Sequence, residues 1–237
     1  MRPYIRLFGP EHFVILVTVP ALAAFLAVVQ RRYFSGSQKL RHMLAALLVL
    51  DTVVFYWYQV AHRLLSFPDH LPLELCDLSL VLVCLSLISL NQTVFDLAYY
   101  LSLGGATMAL LTPNLWEPFP SFGTVQFFVA HGLTVAGVLY LVWSGLGQPR
   151  RGSIGRAMVG MNVFAGAVGA FDYFFKTNYM YLRAKPPNAS LLDFLGPWPW
   201  YFLSAEVCAL AIFALLYLPF RENGAATEKA DAVPARR

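Results

Sequence analysis

Charge is scarce in this chain, and it is missing altogether from three long stretches. Residues 13–30, 97–116 and 118–149 contain no Lys, Arg, Asp or Glu. Only 13% of residues are charged while 58% are hydrophobic; soluble domains carry about 25% charge. Uncharged runs of 18 or more residues are long enough to cross hydrocarbon, which excludes a soluble domain. Cysteine is also scarce. Cys76, Cys84 and Cys208 form no C-x-x-C or Cys/His pattern, so no metal site, disulfide framework or cofactor is expected. The net charge of +4 is spread along the chain. With no basic stripe interleaved with aromatics, nucleic acid is excluded as a partner, and membrane lipids are the expected one. Nothing in the sequence sets an oligomeric state.

The apolar runs predict helices near 12–30, 43–65, 74–90, 94–112, 123–146, 157–176 and 198–219. Backbone groups in lipid must bond within their own segment. The expected fold is therefore all-α: a polytopic membrane protein, with a compact seven-helix transmembrane bundle over 1–220. The first span is followed by the basic string RRYFSGSQKLRH and not by a small-residue cleavage site, so it is not a signal peptide. A polar, Ala-rich cytoplasmic tail at 221–237 is expected to be disordered. Pro186, Pro187, Gly196 and Pro197 bar a continuous helix between the last two spans. The apolar residues of that segment are too many for a solvated loop, so a re-entrant or capping loop is expected there, with Asp193 capping or paired to a basic neighbour.

Lys and Arg counts orient the bundle. Of the 17 basic residues, 11 fall on one face (Arg31, Arg32, Lys39, Arg41, Arg150, Arg151, Arg156, Arg221, Lys229, Arg236, Arg237) and 6 on the other. The positive-inside rule then places the N-terminus outside, in a cell-membrane protein with a cytoplasmic C-terminus. The outer segments gather Pro, Trp, Tyr, Asn, Asp and His, which points to an outward-facing site. Trp and Tyr are also common interface anchors.

Polar residues inside spans are expensive and face the bundle interior. Asp51 and His62, three turns apart, are expected to share a face; His131, Asn162, Asp172 and Glu206 are the others. Each has a plain structural reading as an interhelical hydrogen bond. Cys76 differs from the other cysteines in lying near a helix N-terminus beside Glu74 and Asp77. Its third helix and the fifth helix of His131 run the same way, which places both residues in the outer half. A thiol needs a base to accept an acyl group, and His131 is the candidate. Spacing alone leaves the pairing open.

The strings LPLELCDLS (71–79), GGATMALLTPNLW (104–116), QFFVAHG (126–132), TNYMYLRAKP (177–186) and SLLDFLGPWPWY (190–201) resemble the YwaF-like family of bacterial integral membrane proteins, which also takes in vertebrate transmembrane protein 164. That relative is described as a phospholipid acyltransferase working through an acyl-cysteine and a His. The resemblance implies a membrane-embedded lipid acyltransferase or acyl hydrolase with Cys76 and His131 as catalytic residues. Glu74, Asp77, Asn178, Tyr179, Tyr181, Lys185, Asp193, Trp198 and Trp200 would support or bind substrate, and Lys176 and Arg183 would join Lys185 in holding a lipid phosphate. Glu74 stands where relatives often have His. The alternatives are a transporter using Asp51, His62, His131 and Glu206, or a non-catalytic membrane protein that binds lipid or a partner. Reporter fusions after Gln30, Gln148 and Phe220 are expected to give a cytoplasmic signal at all three; an external signal at Phe220 would overturn the seven-span arrangement.

Overall fold

In a computed structural model of the protein, residues 4–186 and 191–221 are described; the expectation of a disordered tail falls on residues beyond them, apart from Arg221. Among the described residues, seven helices carry the chain back and forth: α1 Pro10–Tyr33, α2 Lys39–Ala61, α3 Leu75–Ser89, α4 Gln92–Leu111, α5 Phe122–Trp143, α6 Ser153–Phe175 and α7 Trp200–Tyr217. Six are long and apolar enough to span a membrane, and α3 is a shorter apolar helix of 15 residues. At about 1.5 Å per residue α3 covers about 22 Å of a hydrocarbon layer about 30 Å thick. Its joint to α4 is tight, so the shortfall lies at its N-terminus, which is sunk into the bundle.

Odd-numbered helices run one way and even-numbered helices the other. One face receives the connectors 34–38, 90–91 and 144–152, with Arg31, Arg32, Lys39, Arg41, Arg150, Arg151 and Arg156 in or beside them; it is called the basic face here. The other, the cap face, receives the long segments 62–74 and 112–121 and the described parts of the segment between α6 and α7, 176–186 and 191–199. At the centre α3 packs against α2, α4 and α5; α1 lies on α5 and α6 on α4. The larger core cluster joins Leu44, Leu48, Val83, Leu87, Tyr99, Tyr100, Val138 and Tyr140.

Glycines allow several close approaches. A Cβ at Gly137 of α5 would come within 2.9 Å of Val83 on α3, and one at Gly104 within 3.0 Å of Phe213 on α7. Gly104 lies in a π-helical turn, Ser102–Ala106, that interrupts α4; the GGA string predicts close helix approach but not this widening. On α6, a Cβ at Gly160 would come within 2.8 Å of Leu97, while Gly166 meets nothing within 4 Å.

Polar side chains lock the basic face. Arg41, 7% exposed, donates to the carbonyls of Leu87 (2.6 Å) and Ile88. It thereby satisfies the last carbonyls of α3, which have no partners of their own within the helix. Asp96, fully buried on α4, accepts from Arg156 at 2.7 and 3.2 Å and pairs with Arg150 at 3.6 Å. Tyr140 donates to Gln30 at 2.9 Å. Asp96→Asn is expected to cost about 1.5–3 kcal/mol, the range for hydrogen bonds to charged groups. Partial exposure of both guanidiniums argues for the lower half of that range. The checking measurement is the thermal midpoint of the protein in lipid nanodiscs, where no shift would contradict this role.

Candidate functional site

Three segments converge at the sunken N-terminus of α3. Glu74 and Asp77 form a reciprocal capping box, in which Asp77 accepts from the Glu74 amide at 3.0 Å. Such a box satisfies amides that the first helical turn leaves unpaired. The Glu74 carboxyl also accepts from the amide of Met180 at 2.9 Å, which ties the 176–186 segment onto α3. Tyr179, 6% exposed, reaches the 62–74 segment: its hydroxyl donates to the Pro68 carbonyl at 2.7 Å and accepts from the Leu71 amide at 2.8 Å. Asp172, fully buried near the end of α6, accepts from Thr177 at 2.6 Å and from the Tyr179 amide at 3.1 Å. Tyr201 donates to the Tyr181 carbonyl. The expected fold-back of this segment is thus present, held by side chains from α3, α6 and α7.

Cys76 lies two residues into α3, beneath this cap. Its thiol is within electrostatic reach of the first-turn amides of α3 and of both neighbouring carboxyls. The hydroxyls of Tyr56 and Tyr181 are also within its electrostatic reach. Tyr181 accepts from Asn114 at 3.2 Å, which leaves its own hydroxyl hydrogen free to donate.

His131 sits nine residues into α5. Its Nδ1 lies 2.7 Å from the Phe127 carbonyl, and its ring lies 4.2 Å from that of Phe127. A carbonyl only accepts, so Nδ1 carries the proton and Nε2 presents a lone pair. The depth of the two residues follows from the Val83–Gly137 contact. Cys76 is seven residues and His131 six residues toward the cap face from it, about 10 and about 9 Å. Cys76 lies on the same side of α3 as Val83, facing α5, while His131 is turned about a third of a turn from the Gly137 side. The residues share a level, and no hydrogen bond joins them.

The other expected residues divide. Asn178 shapes the cap, accepting from the amides of Arg183 (2.9 Å) and Ala184 (3.0 Å). Lys185 lies 4.0 Å from Asp193 and over the Tyr201 ring, giving Asp193 its basic neighbour. Lys176 rests over the Tyr173 ring of α6, and Arg183 donates to the Thr177 carbonyl of its own segment. Trp198 and Trp200 are 60% and 66% exposed at the surface. His62 is the C-cap of α2: its amide still donates to the Tyr58 carbonyl, and its ring stacks on Tyr58, exposed, without reaching Asp51. Asp51 accepts instead from Gln126 on α5 at 3.1 Å, and Glu206 from Asn162 at 3.0 Å. The four polar residues of the transport alternative thus hold four different partners and form no chain. Sequence reasoning missed Tyr56, whose place in the FYWY run is indistinguishable from that of Tyr58, and Asn114, which looked like part of a loop.

A model of the TMEM164 family matches residues 7–217. The chain belongs to the TMEM164 family. The narrower YwaF-like kinship rests on the motifs alone. No curated protein and no solved structure matched the chain. This TMEM164-family protein is therefore a multi-pass membrane protein whose cap-face residues are read from their own geometry.

Burial pushes the Glu74 carboxyl up from its ordinary 4.5 to about 7, against the pull of the Met180 amide. The folded protein then holds a proton on Glu74 between those values while the unfolded chain has lost it. This contribution to stability is full below about 4.5 and is lost as pH rises toward about 7. In detergent melts between pH 4.5 and 7.5, Glu74→Gln should show a flatter decline than wild type; parallel curves would contradict the assignment.

Proposed function

We propose that this protein is a membrane-embedded lipid acyltransferase or acyl hydrolase in which Cys76 carries the acyl group. The observation that carries the reading is the position of Cys76: a thiol in the first turn of a helix beneath the cap, with His131 on the adjacent helix at the same level. His131 acts as base, and its pairing with Cys76 requires a modest turn of α5 or of the imidazole. Cys76 gives its proton to Nε2 of His131 and attacks the ester carbonyl of a phospholipid. The new C–S bond forms as the ester C–O bond breaks, and the leaving lysolipid oxygen takes the proton back from His131. In the second half, a lysolipid hydroxyl loses its proton to His131 and attacks the thioester; the acyl group moves to it and the thiol is restored. Water in that role gives hydrolysis. The hydroxyls of Tyr56 and Tyr181 and the amides of α3 serve as donors to the developing oxyanion.

Glu74 and Asp77 hold the nucleophile's helix end, while Tyr179 and Asn178 hold the cap above it. Lys185, paired with Asp193, and Trp198 and Trp200 at the rim, form the headgroup contact. The basic asymmetry orients this face outward in the cell membrane. The test is incubation of the protein in bilayers with phospholipid bearing a labelled acyl chain. A hydroxylamine-labile label on Cys76 and transfer to added lysolipid are expected. Cys76→Ala should abolish both, and His131→Ala should slow transfer by about 10²-fold or more. Unlabelled Cys76, with product lipids the same in wild type and Cys76→Ala, would overturn the reading in favour of a non-catalytic lipid-binding protein.

A further inference from the structure

The basic face carries a second feature, unconnected to Cys76. α1 and α5 leave between them a groove of about 370 Å³ lined by Ala24, Ala27, Val28, Arg31, Val142 and Trp143. Its walls are apolar from Ala24 to Val28, and its end toward the basic face is closed by Arg31 and Trp143. Ala24 is seven residues from Arg31, so the groove climbs about 10 Å toward the membrane midplane. At its end the Arg31 guanidinium lies against the turn that closes α5, within 3.9 Å of where a Cβ on Gly145 would stand. Arg31 makes no ion pair or hydrogen bond among the described residues.

From this geometry we infer that the α1–α5 groove is a binding site for an anionic phospholipid of the leaflet on the basic face, its phosphate on Arg31 and the upper part of one acyl chain along Ala24 and Val28. An arginine is charged at all relevant pH and matches a phosphate with paired donors. The small alanines give the chain room, and Trp143 sits at headgroup depth, where indoles favour the interface. A second copy of the protein is a poorer occupant. Among the described residues Asp96 is the carboxylate of this face, and it is buried and already holds two arginines.

The test is native mass spectrometry of the full chain, delipidated and titrated with phosphatidylglycerol or phosphatidylcholine of matched acyl chains. Wild type should retain phosphatidylglycerol in preference. Arg31→Ala should cut that retention about fivefold, as expected for one basic residue at an anionic surface, and leave phosphatidylcholine unchanged. Ala24→Phe fills the groove from an exposed position and should lower retention of both lipids. Equal retention of the two lipids by wild type, an equal loss in Arg32→Ala, or full retention in Ala24→Phe would each overturn the site and reduce Arg31 to an ordinary interfacial cation. Cys76→Ala should bind phosphatidylglycerol like wild type, so failure of the acyl-transfer reading leaves this result standing.

Discussion

A peptide group in hydrocarbon has no water to bond, and the rest of this structure follows from that constraint. It forces the chain into helices and leaves each helix with unpaired amides at one end and unpaired carbonyls at the other. Much of the polar chemistry of the protein meets those ends. Arg41 caps the end of α3, Asn91 accepts from two amides at the start of α4, and Glu74 with Asp77 caps the start of α3. The same demand explains why a helix of 15 residues is tolerated in the middle of the bundle. Its shortfall is filled by protein, namely the 62–74 and 176–186 segments, and not by lipid.

That infilling creates the candidate site. Because α3 starts below the cap face, its first-turn amides and Cys76 are roofed by Tyr179, Met180 and Tyr181. Each of these residues is anchored elsewhere: Tyr179 to Pro68 and Leu71, Met180 to Glu74, Tyr181 to Asn114 and Tyr201. The roof therefore draws on α3, α6 and α7 and on three connecting segments, and its rigidity is a property of the whole face. The two faces divide the labour. Carboxyls and phenols gather around a thiol on one, while arginines and helix-end carbonyls meet on the other.

Inside the membrane, polar residues work in pairs across helices: Asp51 with Gln126, Asn162 with Glu206, Gln30 with Tyr140. These are modest bonds, typically about 0.6 kcal/mol in membrane proteins, and they set which helices lie side by side. His131 stands apart because it spends Nδ1 on its own helix and keeps Nε2 unbonded.

The sequence by itself determined the number of crossings, the face on which each connector lies and the presence of a cap after α6, because uncharged length and proline placement are local and lipid leaves the backbone few alternatives. It also marked Cys76, Glu74 and Asp77 as one cluster, since they share a helical turn. Only the tertiary structure decided what gathers around them. Met180 reaches Glu74 across more than a hundred residues, Tyr56 comes from α2, and Asp51 finds Gln126 on α5. No periodicity records such contacts, because they depend on where helices of unequal length end and how they are rotated about their axes. The π-turn at Ser102–Ala106 is another such outcome: the glycines permit it, but the crossing of α7 over Gly104 is fixed by how closely Phe213 packs there.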